Sequence, residues 1–213
     1  ALEAGLKHIA VFTAASDLFN QRNINCSIQE SLERIKTIIP LAKQHQIKIR
    51  GYISCVLGCP YEGEIRPEKV AEVTQQLLDL GVDDISLGDT IGVGTPMQTQ
   101  KVLDKVLPLL SIEQIAMHFH DTYGQAMANI YASLAYGVYS FDSSIAGLGG
   151  CPYAQGASGN VATEDVLYLM HGLGIETGVD IFKIVSIGDT VCKLLGRRNQ
   201  SKVANALLAN PCN

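Results

Sequence analysis

Two histidines separated by one residue, in His118-Phe119-His120-Asp121, are the side chains of this sequence best spaced to hold an ion. Side chains alternate between the two faces of a β-strand, so both imidazoles point the same way and can share one metal. The plain alternative is that each ring hydrogen-bonds inside a core, which suits a lone histidine better than a pair closing a strand. Imidazole with oxygen ligands admits Zn, Mn, Co or Mg, so the pair alone does not set the ion. Asp89, in Ser86-Leu87-Gly88-Asp89-Thr90-Ile91-Gly92, is a second candidate. Beside glycines that let a ligand approach the backbone, its carboxylate can act as a general acid or base, or it can simply close a turn. The third candidate is Cys151, the one thiol in the glycine-rich stretch from Ala146 to Asn160. That stretch lacks the lysine of a nucleotide-binding P-loop, and no histidine adjoins it to suggest a cysteine protease. A loop this rich in glycine can close over a substrate and bring the thiol to it. A free thiol titrates near ~8.5, so a nearby cation or metal would bring Cys151 into range for proton transfer at neutral pH.

These side chains need elements to position them. Short β-branched runs alternate with longer segments of helical period, the pattern of successive βα units around a parallel sheet. Strands are expected at His8 to Thr13, Ile47 to Cys55, Asp84 to Leu87, Ile115 to His120 and Val138 to Ser143. Ser27 with Glu30 marks a capping box before a helix over Ile28 to Gln44, with Leu32, Ile35, Ile38, Ile39 and Ala42 as its apolar face. Pro67 opens a second helix that Gly81 stops; Thr95, Pro96 and Gln98 open a third, running to about Leu110. A fourth spans Gln125 to Tyr136, and a fifth follows Thr163 with Leu167, Met170 and Leu173 as its core face. The segment from Asp180 to Leu208 reads as helical with no intervening strand. The expectation is an α/β fold: a (β/α)8 TIM barrel present as a C-terminal portion of about five βα units plus C-terminal helices. Residues 1–213 would form a single domain lacking the first three or so units, with a doubly wound open sheet as the alternative. Ala1 to Gly5 reads as the end of a helix running into a strand, so the sequence is expected to begin mid-fold, with any targeting region upstream.

The chain has 213 residues, 47% hydrophobic and 17% charged, which suits one globular core. No apolar run approaches the ~20 residues needed to cross a bilayer, so no membrane partner is expected. A net charge of −5 argues against nucleic acid as a partner; the most basic short stretch is Arg197-Arg198 with Lys202. Six cysteines at positions 26, 55, 59, 151, 192 and 212 show neither a disulfide framework nor finger spacing, which points to a reducing compartment. Cys55 and Cys59, four apart, are a weak candidate for a metal or redox pair.

Three segments taken together resemble one family closely. They are Ile85 to Pro96 (ISLGDTIGVGTP), His118 to Gln125 (HFHDTYGQ) and Asp142 to Asp165, which contains GLGGCPY. The family is the 3-hydroxy-3-methylglutaryl-CoA lyases, of a barrel metallolyase superfamily that also holds isopropylmalate and homocitrate synthases. The His-X-His element is shared across that superfamily, whereas the Gly-Leu-Gly-Gly-Cys-Pro-Tyr loop is the lyase's own. The resemblance implies that His118, His120 and Asn160 bind Mg2+ or Mn2+, and that Cys151, Asp89 and His118 carry the acid/base chemistry. The family's further metal ligand, an Asp after an Arg closing its first strand, has no counterpart here. Nor has that Arg, or the acidic residue the family takes from its next strand. The reaction implied is cleavage of 3-hydroxy-3-methylglutaryl-CoA to acetyl-CoA and acetoacetate. Ser86, Arg197, Arg198 and Lys202 are candidate contacts for the acyl-CoA. A homo-oligomer, dimer or higher, is expected, in the cytoplasm if the source is bacterial and in the mitochondrial matrix if it is eukaryotic. A Claisen-type condensing synthase of the same superfamily and a catalytically inert partial barrel are the alternatives.

Overall fold

Five strands lie side by side in chain order, every neighbouring pair parallel: β1 (His8–Ala14), β2 (Lys48–Ser54), β3 (Asp84–Asp89), β4 (Ile115–Phe119) and β5 (Phe141–Asp142). The molecule is a computed structural model that describes residues 1–150 and 159–209, so Cys151 and Cys212 lie outside the described residues. A doubly wound sheet reverses its strand order at a switch point. Here the order runs straight from β1 to β5 with a helix returning after each strand, so the sheet is an arc of a (β/α)8 barrel rather than that alternative.

The helices form where the sequence signals them. Ser27 and Glu30 make the reciprocal capping box that opens α2 (Ile28–Gln44). Pro67 sits in the first turn of α3 (Pro67–Leu80), where a missing N–H costs nothing, and Gly81 ends it in the left-handed conformation. Thr95 with Gln98 opens α4 (Pro96–Val106), which tightens into a 3-10 turn at Leu107–Leu109. α5 (Ala126–Ala135) and α6 (Thr163–Gly172) follow β4 and β5.

Odd-numbered strand residues face these helices and make the core: Val11, Ile49, Ile53, Ile85, Leu87, Ile115, Met117 and Phe119 are all buried, packed with Ile35, Val73, Leu77, Val102, Leu103 and Ile130 from the helices. Each such aliphatic side chain gains roughly 1.5–3 kcal/mol on burial, which makes this layer the main source of stability. The even-numbered positions of the opposite face carry the polar groups: Arg50, Tyr52, Asp84, Ser86, His118 and Asp142. A second cluster of Leu167, Ile181, Val185 and Ala204 fastens α7 (Ile181–Leu194) and α8 (Lys202–Ala209) to α6.

Several boundaries differ from expectation. A helix the sequence reading omitted, α1 (Asp17–Ile24), is capped by Ser16; its moment is weak because Asp, Asn, Gln and Arg fill most of its turns. The last strand is only Phe141–Asp142, since Val138 to Ser140 approach the sheet without a full ladder. Ile38 is exposed on α2, and Leu173 lies beyond the end of α6 and is exposed; Val166, Leu167 and Met170 form that helix's buried face. The helical tail is two helices, broken where Gly196 takes a positive φ of 63°. Among the described residues no helix is long and apolar enough to cross a membrane.

Candidate active site

The site is assembled at the C-terminal ends of β3, β4 and β5, where barrel enzymes place their chemistry. In register, His118 sits between Gly88 of β3 and Asp142 of β5. One residue past the end of β4, His120 makes an isolated antiparallel bridge to Asn160, which draws the loop after β5 back across the strand ends. Strand alternation therefore aims His118 and His120 to the same side, and their ring centres lie 5.4 Å apart, close enough to flank one ion. Strand alternation paired the two histidines and the family resemblance added Asn160; the structure brings the three into one region.

Each donor is prepared for that task. Asp142 Oδ2 lies 3.3 Å from His118 Nδ1, so the other ring nitrogen, Nε2, is left for a ligand. Burial, followed by the charge of His118, lowers the His120 pKa to about 4 against opposing hydrogen bonds from the ring to the Thr90 backbone and the Asn160 side chain, so this ring is neutral and keeps a lone pair at physiological pH. Its Nδ1 is buried without a hydrogen-bond partner, an arrangement that costs free energy unless something else occupies the nitrogen. Asn160 donates its amide N–H to the Leu148 carbonyl at 2.9 Å, which leaves its side-chain oxygen as an acceptor. Two imidazoles and an amide oxygen fit a divalent ion of intermediate hardness. Among the described residues no cluster of three His, Cys, Asp or Glu side chains surrounds one point, so these donors supply part of a coordination shell.

Asp142 was not singled out from the sequence, yet it is the hub of the polar face. Ser86 donates its hydroxyl to Asp142 at 2.8 Å, and Arg50 reaches the other oxygen at 3.4 Å while also pairing with Asp84. Despite the cost of burial, the hydrogen bonds from His118 and Ser86 hold the Asp142 pKa below the usual carboxylate range. Tyr52 packs the edge of its ring against His118, with centroids 6.3 Å apart. The signal available in the sequence was register: Asp142 stands beside His118 once β4 and β5 are aligned.

Ser86 is fully buried with its hydroxyl committed to Asp142, so it stands as a support for the histidine and not as an exposed substrate contact. Asp89, also fully buried, accepts N–H bonds from Val93 at 3.2 Å and Gly94 at 2.9 Å. It shares the helix-facing side of β3 with Ile85 and Leu87, so the turn-closing role weighed from sequence is present. Burial raises its pKa to about 6 even though those N–H groups and His118 pull the other way. Arg197 and Arg198 are exposed in the turn between α7 and α8, whereas Lys202 lines a cleft of about 300 Å3 together with Gly147, Asn160 and Gln200. Cys55 and Cys59 are both buried and form no disulfide; Cys59 hydrogen-bonds Ser16 and accepts the N–H of Tyr61, which is local loop structure.

A family model described as HMGL-like matches residues 1–191. Over 209 residues the chain is 58% identical to the 3-hydroxy-3-isohexenylglutaryl-CoA/hydroxy-methylglutaryl-CoA lyase of Pseudomonas aeruginosa, with 98% of this chain and 70% of that protein covered. It is 57% identical to the mitochondrial hydroxymethylglutaryl-CoA lyase of Bos taurus, covering 97% of this chain and 63% of the relative. The crystal structure of hydroxymethylglutaryl-CoA lyase from Pseudomonas aeruginosa superposes with a TM-score of 0.95, over 98% of this chain and 70% of the other. The chain thus spans about two thirds of the length of these relatives.

Proposed function

This chain belongs to the HMGL-like family, and on that premise we propose that it serves a divalent-metal-dependent carbon–carbon lyase that cleaves 3-hydroxy-3-methylglutaryl-CoA to acetyl-CoA and acetoacetate. The observation that carries this reading is the convergence of His118, His120 and Asn160 at the strand ends, with Asp142 fixing one ring and the other left with a buried unpartnered nitrogen. Residues 1–213 are read as one domain, five βα units of the barrel with its C-terminal helices.

The reaction requires loss of a proton from the C3 hydroxyl, conversion of that C–O bond to a carbonyl, breakage of the C2–C3 bond, and protonation of the thioester enolate left at C2. Bound Mg2+ or Mn2+ would hold and polarise the hydroxyl and a neighbouring oxygen, supplying Lewis-acid and template chemistry. His118 faces the hydroxyl with its Nε2 given to the ion, so the ring orients the hydroxyl and the proton passes to the carboxylate of Asp89. Asp89 takes up that proton beside His118, from a site whose burial raises its pKa to about 6, close to the working range. Asp142 keeps the His118 ring from turning while the proton moves. Cys151, singled out by the likeness of its segment to the family's signature loop, is assigned delivery of the proton to C2. Arg197, Arg198 and Lys202 attract the phosphates of coenzyme A, and the position of Lys202 beside Asn160 in the cleft supports that assignment. Exposed Phe182, Leu194 and Leu195 support association into a dimer or larger homo-oligomer. The expected location is the cytoplasm of a bacterium or the mitochondrial matrix of a eukaryote.

A condensing synthase of the same superfamily would share the histidines without needing Cys151. Alkylation of the thiol separates the two: the lyase loses its activity and is protected by substrate, and activity that survives complete alkylation of Cys151 contradicts the assignment.

A further inference from the structure

Glu164 is fully buried at the start of α6 and takes no part in the chemistry above. Both of its oxygens accept the backbone N–H of Ala146, at 3.0 and 2.9 Å. Ala146 is one of the few non-glycine residues in the left-handed region, at φ 58° and ψ 17°, a conformation that costs a non-glycine residue free energy unless its surroundings impose it. The carboxylate imposes it here.

Ala146 opens the neck of the glycine-rich stretch, and the neck is pinched on both sides. A side chain at Gly159 would meet the Gly149 carbonyl oxygen at 2.1 Å, so the two ends of the stretch touch backbone to backbone. Asn160 is tied to the Leu148 carbonyl. Whatever sets Ala146 therefore sets the frame of a metal-ligand candidate and of the segment leading to Cys151.

The other side of Glu164 faces the turn between α7 and α8. The Asn199 amide nitrogen is buried on the same side, beside the carboxylate at Gly188, with no hydrogen-bond partner among the described residues. Gln200 donates its backbone N–H to the Ala146 carbonyl at 3.1 Å. A Cβ on Gly188 of α7 would stand 2.6 Å from Glu164 Oε1, so α7 passes where only glycine fits. The neighbouring acid, Asp165, accepts from Ser201 Oγ at 2.6 Å and from the Val203 N–H at 2.9 Å, which pins the start of α8 and with it Lys202.

We infer that Glu164 is a positioning residue, a buried strut joining the turn that carries Arg197, Arg198 and Lys202 to the left-handed neck at Ala146, so that holding the phosphorylated end of coenzyme A orders the neck and Asn160. The inference rests on the reading of that turn as the coenzyme A contact. Binding energy from a remote, unreacting part of a substrate is thereby used to set the reacting centre.

Hydrogen–deuterium exchange of the peptide around Ala146 to Leu148, with and without 3′-phosphoadenosine 5′-diphosphate, reads this coupling, and calorimetry with the same probe reads its affinity. In the unaltered chain, binding slows exchange at the neck by at least about fivefold, the low end of ordinary coupling between sites. Glu164→Gln, which replaces one accepting oxygen with a donor, binds the probe but slows neck exchange by less than about twofold. Asn199→Ala cuts the strut at its surface end and gives the same result with little risk to folding. Undiminished protection of the neck in either folded variant, or no protection in the unaltered chain despite binding, overturns the strut. Failure of the unaltered chain to bind the probe overturns the coenzyme A reading of the turn, and this inference with it.

Discussion

Replacing Asp142 with asparagine tests how much of the site depends on a residue that touches neither substrate nor ion. Its carboxylate accepts from Ser86 at 2.8 Å, His118 at 3.3 Å and Arg50 at 3.4 Å. Asparagine offers one accepting oxygen, so at least one donor must face the new NH2 group. If that donor is His118, its Nδ1 becomes the acceptor and the ring proton moves to Nε2, the nitrogen needed for the ion. A wrong tautomer and a misoriented ring are the usual cost of removing a carboxylate behind a metal-binding histidine, about 10–100-fold in metal affinity. That factor corresponds to roughly 1.4–2.7 kcal/mol. Core packing is untouched because the two side chains have nearly the same volume, so any drop in the melting temperature of the metal-free chain reports the lost hydrogen bond, about 1–3 kcal/mol. Electron paramagnetic titration with Mn2+ measures the affinity, and nitrogen chemical shifts of His118 report the tautomer. An affinity within twofold of the parent, with the His118 tautomer unchanged, would refute the reasoning.

Other consequences follow from the same geometry. Asp89, raised from 3.8 to about 6, keeps its proton in the folded chain where the unfolded chain has lost it, so its destabilisation grows as pH rises from 4 to 6. His120, lowered from 6.5 to about 4, works in the opposite sense, and stability falls as pH drops through the same window. The two therefore oppose each other between pH 4 and 6, each by an amount on the order of 3 kcal/mol. Asp89→Asn should then unmask the histidine, with denaturant stability climbing from pH 4 to 6.5; a flat profile in that variant contradicts the assignment. Cys151→Ala should abolish turnover while metal content stays intact, and retained activity would remove the thiol from the reaction. Gly188→Ala forces a methyl to within 2.6 Å of Glu164 Oε1 and should destabilise the chain by about 1–3 kcal/mol in urea melts; a neutral effect would mean that α7 and Glu164 separate easily.

Which parts of this molecule are legible from sequence depends on how local the signal is. The capping box at Ser27 and Glu30, the first-turn prolines Pro67 and Pro96, and the stop at Gly81 are written within a few residues, and all four lie where the reading put them. The His118 and His120 pair was equally local, because strand alternation alone puts the rings together. Asp142 and Glu164 act over longer range. Asp142 gains its meaning from the register of β5 against β4, and Glu164 from a helix start packing against a turn 35 residues later at Asn199. Neither pattern repeats with a period that a sequence window can detect. α1 was missed because its polar, weakly amphipathic residues are held by a cap at Ser16 rather than by a continuous apolar face. Asp89 shows the reverse limit: its turn-closing contacts are visible in the structure, and its acid/base role is a proposal supported by its raised pKa.

The proposed role of this chain is to carry metal and acid/base groups of a lyase acting on 3-hydroxy-3-methylglutaryl-CoA. The most direct measurement is release of acetoacetate from that thioester by the 213-residue chain, with and without added Mn2+. Acetoacetate formation should rise with Mn2+ and be lost in His120→Ala and Cys151→Ala. No acetoacetate from the folded, Mn2+-loaded chain would contradict that role and favour an inert partial barrel.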